Sequence, residues 1–155
     1  MKKALKIILD DTIYKMIWQE VNKLNYPNIH GNFVSDLPNK QYKIPFWNET
    51  QEKIVNGFFV NLSEKDLFAL DWQHDCFIFN PRENIPLNTW WEDKARNCNV
   101  YFPSYYPNGD YHAFVSMDYS YGIYGHPWRK EIYVVGLSLI ELFENNKLEL
   151  GLICT

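Results

Sequence analysis

The chain has 155 residues, enough for one domain with an ordinary core. It is 46% hydrophobic and 22% charged, which excludes a disordered or membrane-embedded chain, while aromatics reach an unusual 17%. A net charge of −4 without any run of like charge argues against a nucleic-acid partner, because phosphates demand a basic stripe.

The first nine residues briefly imitate a signal peptide. Lys6 breaks the apolar stretch, Asp10-Asp11 ends it, and no small-residue cleavage site follows, so no leader is predicted. Residues 10–24 carry a helical stripe of Ile13, Met16, Ile17, Val21 and Leu24, flanked by Trp18, with Asp10 or Asp11 as cap. Tyr26-Pro27-Asn28 should end that helix. Residues 28–47 read as loop, interrupted by Gly31, Pro38 and Pro45. A second helix is predicted over residues 48–56 with Gly57 as its cap, followed by Phe58-Phe59-Val60 as a short strand. Ser63-Glu64-Lys65-Asp66 reads as a capping box or turn.

Residues 67–80 form one strand, or two joined near Gln73-His74. Residues 82–99 read as a long loop with a possible helical turn at 91–96. Strands are expected at 100–106, 111–118, 121–124 and 130–135, with Pro107-Asn108-Gly109-Asp110 as a tight turn. Gly136 breaks the last strand, and residues 137–145 form a closing helix with Leu139, Ile140, Leu142 and Phe143 inward. The pattern implies α+β architecture: a single domain, its mostly antiparallel sheet flanked by an N-terminal and a C-terminal helix.

Two clusters stand out chemically. Leu70-Asp71-Trp72-Gln73-His74-Asp75 sets a histidine beside a tryptophan, two carboxylates and an amide, and Gly125-His126-Pro127-Trp128 repeats the histidine–tryptophan pairing. Such groups cost stability unless each polar atom finds a partner, so they mark either a site or a buried polar network. On a strand, Asp71, Gln73 and Asp75 would share one face, free to accept donors, hold a hard cation or pair with Arg82 or Arg129. Asp110 and His112 repeat the two-residue step and could orient an imidazole or supply two metal ligands, on a face expected to be solvated. No third ligand falls at a diagnostic spacing, so no metal site and no cofactor are predicted. His126 and Trp128 are placed on a rigid loop between strands, as a recognition loop or a packed corner.

Cys76, Cys98 and Cys154 are odd in number and widely spaced, which points to reduced thiols rather than disulfides or a zinc knuckle. No nucleophile elbow or phosphate-binding glycine loop occurs. No stretch approaches the roughly 20 apolar residues of a membrane span, so a cytoplasmic protein is expected.

In order along the chain, Leu70-Asp71-Trp72-Gln73-His74-Asp75, Pro107-Asn108-Gly109-Asp110-Tyr111, Gly125-His126-Pro127-Trp128 and Val135-Gly136 resemble a family of small bacterial proteins of unknown function, common in Bacillus and its relatives. The resemblance covers roughly residues 55–146 and implies a bacterial cytosolic protein without bringing an activity. Small α+β immunity proteins, which neutralise toxins by binding them, are a more distant likeness of architecture alone.

Three readings follow. In the first, the chain is a non-enzymatic binding protein, with the immunity type as one form, that meets a protein partner through an aromatic and acidic surface including Trp72, Trp128 and Tyr124. In the second, it is a hydrolase or metal-dependent enzyme in which His74, His112 and His126 converge with Asp71, Asp75 or Asp110. In the third, all these residues serve folding. One geometric expectation is common to all: residues 71–75 and 125–128 should meet at one edge of the sheet.

Overall fold

The computed structural model describes residues 5–23 and 36–154. Within these, β1 (Leu5–Ile7) leads into α1 (Asp11–Asn22), and β2 (Asn39–Lys43) into α2 (Glu49–Leu62). Next come β3 (Leu67–Asp71), β4 (Phe77–Phe79), and a hairpin of β5 (Thr89–Asp93) and β6 (Cys98–Phe102). β7 (His112–Ser116), β8 (Gly122–His126) and β9 (Glu131–Val135) follow, then α3 (Leu137–Asn145), α4 (Lys147–Leu150) and β10 (Ile153–Cys154).

Eight strands pair antiparallel in the order β1-β4-β3-β7-β8-β9-β2-β10, and β5 and β6 form a separate ribbon. The α+β expectation of a mostly antiparallel sheet with flanking helices is what the chain adopts. Its central strands β3, β7 and β8 are buried over their whole length, because both faces are covered. Leu67, Ala69, Phe114, Ile123 and Ile132 pack on one face with Phe58 and Phe59 of α2, Phe143 of α3 and Phe102 of β6. On the other face, Phe68, Leu70, Ala113, Val115, Tyr124 and Tyr133 pack beneath Ile17 and Val21 of α1. Strand alternation delivers apolar groups to both sides, so these segments lack a polar face.

Asp10 caps α1 as predicted, accepting from the N–H groups of Thr12 and Ile13 at 2.9 and 3.1 Å. Of the predicted stripe, Ile17 and Val21 are buried, but Ile13 and Met16 stay exposed. Leu24, the expected helix end at 26–28 and the loop at 28–35 lie outside the described residues.

Several expectations are corrected. α2 runs through Gly57 to Leu62, so Phe58-Phe59-Val60 is helix, not strand. Asn48 and Gln51 form a capping box at its start, and Val55, Phe58 and Phe59 face inward at helical spacing. Residues 39–43 form β2 instead of loop, paired with β9 in register Tyr42↔Ile132. Residues 82–99 hold most of the β5–β6 hairpin, and the suggested helical turn at 91–96 is the end of β5 and a turn. Gly125 and His126 belong to β8, not to a loop. α4 and β10 extend the chain beyond the predicted last helix.

Candidate functional site

The pairing of β3, β7 and β8 brings the two motif clusters to one end of the sheet. Asp71 lies opposite His112, and His112 opposite Gly125. The expected meeting of residues 71–75 with 125–128 therefore occurs, at the end of central strands rather than along an edge strand. The chain continues β3 for one more bond, Trp72 N–H to Tyr111 O at 3.0 Å, and then bends. Residues 72–75 are consequently not strand, and Asp71, Gln73 and Asp75 do not share a strand face.

The bend is organised by carboxylates. Asp71 Oδ1 accepts from the N–H of Gln73 at 3.0 Å and of His74 at 3.2 Å. Asp110 Oδ2 accepts from the same Gln73 N–H at 3.0 Å, and Asp110 Oδ1 from the Tyr111 N–H at 2.8 Å. The His74 ring folds back so that Nδ1 lies 3.1 Å from Asp71 Oδ1 and 3.4 Å from Asp110 Oδ2. Both carboxylate side chains are buried, whereas His74 keeps about a third of its surface, 32%, exposed. Burial pushes the Asp71 carboxyl well above the ordinary range, and the neighbouring Asp110 adds to it, against the pull of the Gln73 N–H and of His74. Asp71 Oδ2 is buried without a hydrogen-bond donor.

The other predicted residues divide between the two faces. His112 lies on the face of Phe114, edge-on to that ring, not on a solvated face, and its imidazole is held neutral by burial, down to about 4. Gly125 makes room for it: a Cβ there would stand 2.8 Å from His112 Cε1. His126 lies on the opposite face with Tyr124, its ring 4.9 Å from that of Tyr111. Its Nδ1 accepts from the Arg129 N–H at 3.3 Å, and burial, then Arg129, lowers its pKa. The three histidines thus do not all converge: His126 lies on the other face, His74 sits against the Asp71 and Asp110 carboxylates, and His112 lies opposite Asp71 and bonds to the Asp110 backbone.

Asp75 pairs with neither Arg82 nor Arg129. Arg96 grips it with two N–H groups at 3.1 and 3.0 Å and donates Nε to Asp93 at 2.8 Å, tying the bend to the β5–β6 hairpin. Arg82 instead donates to the Ser63 carbonyl.

Around these polar groups stands an aromatic collar that sequence reading only half found. Trp90 meets the His74 ring edge-on at 5.3 Å, and Tyr101 at 5.5 Å. Trp72 packs edge-on against Tyr111 at 5.4 Å and closes a groove of about 380 Å³ with Tyr14 and Trp18 of α1. Trp72, Trp90 and Trp128 are 47%, 57% and 81% exposed. Trp90 and Arg96 were missed because residues 82–99 read as loop, and Tyr101, although on a predicted strand, was not singled out as a site residue. The signal was two β-prone runs, Thr89-Trp90-Trp91 and Val100-Tyr101-Phe102, on either side of a polar turn. A second cleft, of about 530 Å³, lies beside α2 and is lined by none of the predicted site residues.

Comparison with known proteins adds family but no chemistry. The chain is similar to the "Uncharacterized protein YxiI" of Bacillus subtilis (strain 168), 27% identical over 156 residues that span 89% of this chain and 91% of that protein. No solved structure matches. The family model described as "Protein of unknown function (DUF2716)" matches residues 8–140, taking in α1 as well as the segment from 55 onward, and the chain belongs to that family.

Proposed function

We propose that this protein is a non-enzymatic recognition protein that binds a protein partner through the aromatic end of its sheet. The observation that carries the reading is the exposure of three tryptophans at one end of the sheet: Trp72 on the bend after β3, Trp90 against the His74 ring, and Trp128 in the turn after β8, each between about half and four-fifths open. Tryptophans offer large, stiff, amphipathic contact area, and they dominate the energetics of protein interfaces when a partner covers them. Most surface area elsewhere needs no such explanation, but clustered large rings do.

The acids have a different place in this surface from the one their number suggests. Asp71 and Asp110 hold the bend from within, and Asp75 is neutralised by Arg96, so contact rests on the rings. An immunity-type role, with a toxin as the partner, is the concrete form of this reading. Free thiols at Cys76, Cys98 and Cys154 support a cytosolic setting, and no helix among the described residues is long and apolar enough to cross a membrane.

The test is co-purification of the chain with the products of its flanking genes, compared with Trp128→Ala and Trp90→Ala. The complex should form with the natural chain and be lost in the variants, while circular dichroism and the unfolding midpoint stay unchanged. If no flanking product is retained, or if the variants retain it equally, the reading is overturned.

A further inference from the structure

We infer that one oxygen each of Asp71 and Asp110, with Nδ1 of His74, forms a binding site for a divalent transition-metal ion at the end of the sheet. This goes beyond partner recognition and does not depend on it. The three ligand atoms all lie within 4.8 Å of one another. The His74 Nδ1 distances of 3.1 Å to Asp71 Oδ1 and 3.4 Å to Asp110 Oδ2 match the separation of donors around a single ion. Donors bound at about 2.0–2.2 Å stand roughly 3.0–3.4 Å apart in octahedral or tetrahedral arrangement.

A second observation points the same way. The Asp71 side chain is 1% exposed, and its Oδ2 is buried with no hydrogen-bond donor. Two carboxylates brought together out of water favour a cation beside them, and Asp71 keeps a second oxygen, Oδ2, with no hydrogen bond made to it. A divalent ion balances the two negative charges exactly once, leaving a neutral centre with a neutral imidazole.

The donors are also held in place before any ion arrives. The Gln73 and His74 N–H groups fix Asp71, and the Gln73 and Tyr111 N–H groups fix Asp110. One imidazole with two carboxylates suits manganese, iron, cobalt or zinc, in preference to the soft thiolate-seeking ions. The part-exposed side of His74 leaves room for water or a partner's ligand to complete the coordination.

The experiment uses the intact chain, stripped with a chelator and titrated with cobalt(II), zinc(II) and manganese(II) by calorimetry. Tryptophan emission is followed in parallel, since Trp90 lies 5.3 Å from the His74 ring and bound cobalt(II) quenches a ring so close. One equivalent should bind, with quenching. His74→Ala and Asp110→Asn should each weaken binding by more than roughly 100-fold. Cys98→Ser with Cys154→Ser should leave it unchanged, as should Trp128→Ala, which separates this site from partner capture. If Asp110→Asn does not fold, His74→Ala decides alone, because that side chain is part-exposed. The inference is overturned if the natural chain takes up no equivalent of any of the three ions. It is equally overturned if uptake survives His74→Ala, or if it is lost in the serine variant.

Discussion

Gly125 and Glu52 show how single residues hold this molecule at its most crowded points. The missing side chain at Gly125 is what allows His112 to lie flat against β8, since a Cβ would meet His112 at 2.8 Å and Pro107 Cβ at 3.0 Å. Gly125→Ala should therefore destabilise by about 1–3 kcal/mol, read as a lower urea midpoint with unchanged slope. A midpoint equal to that of the natural chain would mean His112 has another place to go. Glu52, on α2, accepts from the N–H groups of Tyr105 and Tyr106 at 2.8 and 3.0 Å. Burial nevertheless outweighs those donors and pushes its carboxyl from 4.5 up to about 7. The native state thus prefers the neutral acid. Its contribution is fully present below pH 4.5 and is lost as pH rises through 7, a difference on the order of 3 kcal/mol. Glu52→Gln should lower stability overall, because it sets an amide against two donors, and should flatten the fall in melting temperature between pH 5 and 7. An unaltered slope in that variant would show that Glu52 ionises freely in the native state.

At the scale of elements, α2 carries the clearest test. Gly57 sits in its interior, exposed, and a Cβ there would touch nothing within 4 Å. Gly57→Ala should stabilise the protein by about 0.5–1 kcal/mol, seen as a higher melting temperature, since it only restricts the unfolded chain. A loss of stability would mean that the helix ends before Gly57, as the sequence alone suggests. That misreading has a physical root. Glycine followed by Phe58-Phe59-Val60 reads equally well as cap and strand, and only the inward spacing of Val55, Phe58 and Phe59 separates the alternatives. The same ambiguity hid β2 and β5, whose short strands lie among prolines, asparagines and charges, and with β5 the pairing to the predicted strand that contains β6. Strands with strong signals, β7 and β9, and the helices α1 and α3 were legible because local pattern and burial agree there. That Asp71 and His74 lie side by side was legible from their proximity along the chain. Asp110 stands among the candidates to join them, but its approach depends on the β3–β7 register that sets Asp71 opposite His112.

At the scale of the whole molecule, stability should be graded from the middle of the sheet outward. β7 is bonded to β3 on one side and β8 on the other, and both faces of all three are covered. β1 and β10 are edge strands of three and two residues, with one paired neighbour each. The β5–β6 hairpin stands outside the sheet. Phe102 reaches the core, but β5 is largely exposed, and the Arg96 clamp on Asp75 and Asp93 joins the hairpin to the bend. Hydrogen exchange should accordingly be slowest in β3, β7 and β8, faster in the hairpin, and fastest in β10. Arg96→Ala removes a partly exposed ion-pair network worth about 1 kcal/mol, so hairpin amides should exchange roughly fivefold faster. Amides of β7 should keep their rate, because they open only with the whole sheet. Equal acceleration in β7 and the hairpin would show that the two form a single cooperative unit. The surface bearing Trp90 would then be as rigid as the core, rather than a lever able to adjust independently of it.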